Sequence, residues 1–74
     1  MDNTLYIYTD VVKHNGHIVV FAHMLVCDED GVVADIVYGR KTYVGYSRNE
    51  AALDYASKYV GDKALEAKIV VKTL

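Results

Sequence analysis

The stretch that decides the fold is HIVVFAHMLVC, residues 17–27, in which almost every side chain is apolar. A strand with one face in water alternates apolar and polar residues, whereas a strand covered on both faces is apolar throughout. The stretch therefore predicts a central strand in a sheet whose two faces both need a cover.

A second strand is predicted before this stretch. Residues 4–12 (TLYIYTDVV) are rich in β-branched and aromatic side chains, which favour strands. Asn15-Gly16 follows, and this dipeptide suits the positive φ angles of a two-residue hairpin turn. The two strands are therefore expected to form an antiparallel hairpin.

A third strand is predicted after the central one. Asp30-Gly31 is another hairpin turn signal, and residues 32–38 (VVADIVY) continue with strand composition toward residue 46. Gly39 interrupts this run, and a glycine inside a strand pattern indicates a β-bulge.

One helix is predicted, and it begins at Ser47. In the sequence Ser47-Arg48-Asn49-Glu50 the serine hydroxyl can accept from the Glu50 amide, while the Glu50 side chain reaches back to the serine amide, which is a capping box. Gly61 suits the left-handed residue that ends a helix, and residues 65–74 (LEAKIVVKTL) predict a last strand. The apolar positions of the predicted helix are Ala52, Leu53, Ala56, Tyr59 and Val60.

These elements predict an α+β fold with the order β-β-β-α-β. We expect a mostly antiparallel sheet of about four strands with one helix on one face. The 74 residues form a single predicted domain, residues 1–74, near the lower size limit for a chain that folds alone. Self-association is therefore expected to contribute to stability.

Pairing the strands through two-residue turns assigns each side chain to a face, because opposed residues of an antiparallel pair share a face. The face expected to receive the helix collects Leu5, Ile7, Val11, Ile18, Val20, Ala22, Met24, Val26 and Val37. The opposite face collects Tyr6, Tyr8, Asp10, Val19, Phe21, His23, Leu25, Cys27, Ile36 and Tyr38. Such a broad aromatic surface exceeds what a monomer normally leaves in water and indicates an interaction surface.

Charge and cysteine content narrow the classes of partner and location. The formal net charge is −2, which disfavours a phosphate-binding surface. Cys27 is the single cysteine, so no intramolecular disulfide can form and a reducing compartment is indicated. No apolar run reaches the roughly 20 residues of a membrane helix. The chain is expected to be soluble and cytoplasmic, with no membrane partner.

Two patterns raise the question of a metal. His14, His17 and His23 lie near Cys27 in the sequence, and residues 28–31 (DEDG) contain three acids. The paired spacings of structural zinc sites and the full ligand loop of calcium sites are missing. We expect no metal and no cofactor.

Residues 5–10 (LYIYTD) resemble the first strand of ribonuclease H-like proteins, in which an aspartate ends the strand, and the β-β-β-α-β order resembles the first half of that fold. The resemblance implies that Asp10 matches the first of the acids that hold catalytic Mg²⁺ in that family. Glu50 lies near the family's helix glutamate but is also explained as the capping-box partner, and Ala52 occupies one alignment of that glutamate. We take the topology alone from this resemblance.

The sequence therefore predicts a small, non-catalytic protein-binding module, regulatory or inhibitory, that self-associates as a homodimer or larger oligomer through its aromatic face or an edge strand. Small acidic chains of this kind resemble accessory and phage-encoded proteins. One alternative is a single-stranded nucleic-acid-binding module with aromatic stacking platforms. A weaker one is a metal-dependent nuclease-like remnant using Asp10, His23 and Glu50. The predicted partner-binding residues are Tyr6, Tyr8, Phe21, His23, Leu25 and Tyr38.

Overall fold

The chain folds into a four-stranded mixed sheet with its helical segments on one face, an α+β fold. A computed structural model describes residues 2–31 and 33–74; Val32, the predicted start of the third strand, lies outside the described residues. The elements are β1 (Asp2–Val11), β2 (Ile18–Cys27), β3 (Val33–Tyr43), α1 (Arg48–Tyr55), a π-helical segment (Ala56–Val60), α2 (Asp62–Leu65) and β4 (Lys68–Thr73). The strand order β3-β2-β1-β4 places β1 and β2 at the centre.

The turn between β1 and β2 is longer than predicted. A two-residue turn at Asn15-Gly16 would pair Val11 with Val20, whereas Val11 pairs with Ile18. Gly16 does take a positive φ of 70°, and its amide donates to the Val12 carbonyl at 2.8 Å. Because the register differs by an even number of residues, the side chains of β1 and β2 stay on their predicted faces.

The register between β2 and β3 differs from the predicted one by an odd number of residues. This difference overturns one prediction. A two-residue turn at Asp30-Gly31 would pair Cys27 with Ala34, whereas Cys27 pairs with Val33. A shift of one residue moves every side chain of a strand to the other face. The predicted faces in the first half of β3 are therefore wrong.

The consequence is clearest at Ile36, Val37 and Tyr38. Tyr38 pairs with Ala22 and Ile36 with Met24, so both lie on the helix-bearing face and pack partly buried against the core. Val37 pairs on the opposite face and is 78% exposed.

A β-bulge in β3 lies where Gly39 predicted one. Ala22 pairs with Tyr38 and Val20 with Lys41, so Gly39 and Arg40 together oppose a single residue of β2. The extra residue reverses the alternation in the second half of β3. It returns Tyr43 to the core, where 8% of this residue is exposed.

The predicted helix start and stop are both confirmed. The Ser47 side chain accepts from the Glu50 amide at 3.2 Å, and α1 begins at the next residue. The π-helical segment continues α1 and ends at Gly61. Its φ of 72° is a conformation that glycine adopts without steric strain.

The core lies between α1 and the face of the sheet that carries Leu5 and Ile7. Tyr55 is fully buried there and donates a hydrogen bond to the Gly39 carbonyl. The small side chains around it let the helix approach the sheet closely. The buried helical residues are Ala51, Ala52, Tyr55, Ala56, Val60 and Ala64.

Two of the predicted apolar helix positions are not part of this core. Leu53 is 67% exposed and Tyr59 is 44% exposed. The buried stripe runs instead through Ala51 and Tyr55, each of which is two residues from Leu53 along α1. The π-helical segment, with its wider turn, keeps Val60 on the buried side.

The last strand begins later than predicted and is parallel to its neighbour. Helix α2 occupies Asp62–Leu65, so Leu65 is not in a strand, and β4 pairs in parallel with β1 from Thr4↔Lys68 to Thr9↔Thr73. The remaining strand pairs are antiparallel, as expected.

Thr9 joins β1, β4 and α1 at one end of the sheet. Its hydroxyl donates to the Lys72 carbonyl at 3.2 Å, and its own carbonyl accepts from the Leu74 amide at 2.9 Å. The Arg48 guanidinium donates to the same carbonyl at 3.0 Å. These bonds satisfy a threonine that is fully buried.

Candidate interaction surface

The side of the sheet away from α1 carries a set of aromatic residues that we call the aromatic face. The helical segments pack on the opposite side, and each side chain of the set remains partly exposed. Tyr6 lies opposite His23, and Tyr8 lies opposite Phe21, across the β1-β2 pair. The aromatic face consists of Tyr6, Tyr8, Phe21, His23 and Leu25.

The rings of this face contact one another through their flat sides. Tyr8 and Phe21 are stacked, with ring centroids 5.0 Å apart and planes 14° apart. The Arg40 guanidinium lies 5.1 Å from the Phe21 centroid, and the Lys72 ammonium lies 5.4 Å from the Tyr6 centroid. Ring faces covered by a neighbour or a cation are occupied, so these rings present mainly edges to a partner.

A hydrogen-bonded chain crosses the same face. Asp35 Oδ1 lies 3.0 Å from His23 Nδ1, and His23 Nε2 lies 2.9 Å from the Tyr8 hydroxyl. With the neutral imidazole protonated at Nδ1, this nitrogen donates to the carboxylate and Nε2 accepts from the phenol. The chain fixes the orientation of both rings.

The order carboxylate, imidazole, hydroxyl is also the one that activates a nucleophile. Acyl-transfer chemistry further requires donors aimed at a developing oxyanion and a pocket for the substrate. The three hydrogen-bonded residues lie across a sheet face, with 27% of the His23 side chain and 52% of the Asp35 side chain exposed. The two hydrogen bonds hold the Tyr8 and His23 rings in place on this face.

The structure brings together all but one of the predicted partner-binding residues. Tyr6, Tyr8, Phe21, His23 and Leu25 lie on the aromatic face. Tyr38 does not, because the odd register of β3 turns it toward the core.

The acids and histidine of the nuclease-like alternative do not form one cluster. Asp10 lies on the same side as the aromatic face, whereas Glu50 stands in the first turn of α1 on the other side of the sheet. Within residues 2–31 and 33–74, no group of three or more histidine, cysteine, aspartate or glutamate side chains is placed to hold a metal ion.

Three charged residues next to the aromatic rings were not anticipated. Asp35, Arg40 and Lys72 reach the aromatic face from β3 and β4. A usable signal was present in KIVVK, residues 68–72, because lysines four residues apart fall on the same face of a strand.

A second apolar surface lies on the helix-bearing side, beside β4. The cavity there is lined by Leu53 and Ala56 of the helical segments and by Ile69 and Val71 of the strand. We call this cavity the β4 groove. Leu53 is 67%, Ile69 42% and Val71 44% exposed, so the groove is open to solvent.

Two tyrosines of the core have perturbed ionisation. Burial, helped by the neighbouring Asp54 carboxylate, raises the pKa of Tyr43 far above its ordinary value of 10.0. Burial also raises the pKa of Tyr55. Neither group lies on the aromatic face, so these shifts concern stability.

Comparisons with protein-family models, with curated proteins and with solved structures each give no match. Within the described residues, no helix is both long enough and apolar enough to span a membrane.

Proposed function

We propose that this chain is a non-catalytic protein-binding module whose aromatic face buries against the surface of another protein, in the first instance a second copy of itself. The observation that supports this proposal is the row of aromatic rings on the uncovered side of the sheet. Their flat sides contact one another, Arg40 and Lys72. A preorganised aromatic surface loses little side-chain entropy on binding, and such residues supply most of the energy at interface centres.

The charges at the margin of the face favour pairing between two copies. The face is bordered by the cations Arg40 and Lys72 and by the carboxylates Asp10 and Asp35. In a twofold interface each patch meets its own copy, so a patch that carries both signs can be self-complementary. A module of this kind acts by occupying a surface, which fits a regulatory or inhibitory role.

Single-stranded nucleic acid is the alternative partner, and one observation favours it. Arg40 and Lys72 lie beside aromatic rings, as cations do in single-strand binders. Stacking on bases, however, needs free ring faces, and those of Phe21 and Tyr6 are occupied by these same cations. The net charge of −2 also opposes phosphate binding.

From the resemblance to ribonuclease H-like proteins we carry over only the order of the strands and the helix. Asp10, the residue that would match the first catalytic acid, stands on the opposite side of the sheet from Glu50. We therefore assign no metal-dependent activity to the chain.

The test is the molar mass in solution, measured by light scattering over the micromolar range. We expect the wild type to be a dimer or larger, and we expect Phe21→Ala to shift it toward monomer. Leu65→Ala is the matched control, since it removes an apolar side chain that is 86% exposed and distant from the aromatic face. A wild-type monomer that also shows little binding of a hydrophobic dye would contradict the proposal.

A further inference from the structure

Strand β4 has an open edge. It is a terminal strand of the sheet, with β1 on one side. The Leu74 amide donates to Thr9 of β1, and the Lys72 carbonyl accepts from the Thr9 hydroxyl, so the backbone groups of even-numbered residues point toward β1. Backbone groups alternate in direction along a strand. The N–H and C=O groups of Ile69, Val71 and Thr73 therefore point outward.

The side chains of the same region form the β4 groove. Ile69 and Val71 pair with Leu5 and Ile7, which places their side chains on the helix-bearing side. They line the groove with Leu53 and Ala56, and all but the alanine are more than 40% exposed. An added strand would therefore bring alternate side chains directly over an apolar cavity.

The other side of β4 is basic. Lys68 and Lys72 pair with Thr4 and Tyr8, and Lys72 reaches the Tyr6 ring on the aromatic face. Lysines on an edge strand oppose pairing with another basic edge. In an antiparallel pair of two β4 strands centred on Val70, Lys68 would lie opposite Lys72 of the second copy. In that register, lysine repulsion opposes self-pairing of this edge.

The opposite edge of the sheet is protected in other ways. The bulge at Gly39 and Arg40 interrupts β3, and bulges discourage edge pairing. Ile36 and Tyr38 on its helix-bearing side already pack against the core. The more open of the two edges is thus β4.

We propose that β4 accepts an extended segment of another protein as a fifth strand, with acidic and apolar residues alternating in that segment. The apolar residues enter the β4 groove, and the acidic residues lie beside Lys68 and Lys72. Main-chain hydrogen bonds from the outward groups of Ile69 and Val71 supply affinity, and the alternation supplies specificity. This surface adjoins the aromatic face at Lys72, which lies over the Tyr6 ring, while its groove lies on the helix-bearing side.

The test uses two synthetic peptides with blocked ends, one alternating aspartate and valine and the other alternating lysine and valine. Binding is followed by amide NMR shifts of the labelled Phe21→Ala variant, so that self-association through the aromatic face does not interfere. We expect the acidic peptide to shift the amides of Ile69, Val71 and Thr73, and we expect the basic peptide to bind about tenfold more weakly or not at all.

Charge reversal provides the decisive control. The double variant Lys68→Glu with Lys72→Glu should prefer the basic peptide, while an unchanged spread of amide shifts elsewhere shows that the fold is intact. Equal binding of the two peptides, shifts confined to the aromatic face, or no shift at all would each overturn the proposal. Concentration-dependent shifts at β4 without peptide would show self-pairing instead and would also overturn it.

Discussion

The guanidinium of Arg40 and the ring of Phe21 are in contact, with 5.1 Å between the guanidinium carbon and the ring centroid. Arg40 approaches from β3, whereas Tyr8 stacks on the same ring from β1, so Phe21 is flanked on both sides. Contacts on both sides restrict the orientations open to this ring before a partner binds. Rigid aromatic residues of this kind are the ones that dominate protein interfaces.

Truncation of this ring should weaken association. We expect Phe21→Ala or Tyr8→Ala to cost on the order of 2 kcal/mol or more of dimerisation free energy. Sedimentation equilibrium of each variant against Leu65→Ala measures this cost. A loss of less than about 0.5 kcal/mol would place the interface elsewhere.

The choice between protein and nucleic acid depends on salt. Phosphate binding releases counterions and weakens steeply as salt rises, whereas apolar burial changes little. We expect no micromolar binding of an oligothymidine strand at physiological salt, measured by fluorescence anisotropy. Micromolar binding that disappears in a folded Tyr8→Ala variant would support the nucleic-acid alternative.

The N-cap of α1 should contribute measurably to stability. Ser47→Ala removes the oxygen that accepts from the Glu50 amide, and the expected loss is about 1 kcal/mol in the free energy of unfolding. Glu50→Gln should cost less, because an amide can still complete a capping box. Urea unfolding of both variants tests the order. A larger loss for Glu50→Gln would mean that the carboxylate has a role beyond capping.

Stability should fall at high pH because of the buried tyrosines. The raised pKa of Tyr43 keeps its phenol neutral in the folded state, while the unfolded chain ionises near the ordinary value of 10.0. The contribution of Tyr43 is therefore fully present below pH 10 and decreases as the pH rises toward the folded-state pKa. Within that window the free energy of unfolding should fall by at most about 1.4 kcal/mol per pH unit for this group.

Tyr43→Phe provides the matched variant, since phenylalanine has no proton to lose. Urea unfolding at several pH values above 10 should show a shallower decline for this variant than for the wild type. Tyr55, whose pKa is also raised by burial, should account for part of the decline that remains. Identical slopes for the two proteins would show that Tyr43 does not titrate differently in the folded state.

The fold class, the element order and the aromatic face could be predicted from the sequence because they depend on composition and on alternation. The side chains of β1 and β2 lie on their predicted faces although the turn is longer than predicted, because the register differs by an even number of residues. The predicted face of Tyr38 is wrong, because the length of the turn sets the register. No residue type in the loop before β3 indicates that the register differs from a two-residue turn by one residue. Sequence patterns therefore predict where a turn lies better than they predict how many residues it contains.

The residues that were missed depend on contacts between distant elements. Arg40 reaches Phe21 because a bulge shifts the second half of β3, and Lys72 reaches Tyr6 because β4 pairs in parallel with β1. Leu53 was assigned to the core by its apolar character, but the alanines and Tyr55 beside it already fill that space. Such outcomes follow from packing volume, which helical periodicity alone does not express.

The position of Thr9 has a consequence for how the chain is made. Thr9 leaves the ribosome well before Lys72, which lies 63 residues later and accepts from its hydroxyl. Until β4 arrives, the β1-β2-β3 meander can form from local hairpins, but the Thr9 hydroxyl and carbonyl still lack their β4 partners. Arg48 precedes β4 in the chain and donates to the same carbonyl, so the start of α1 can supply one partner of Thr9 before the sheet is closed.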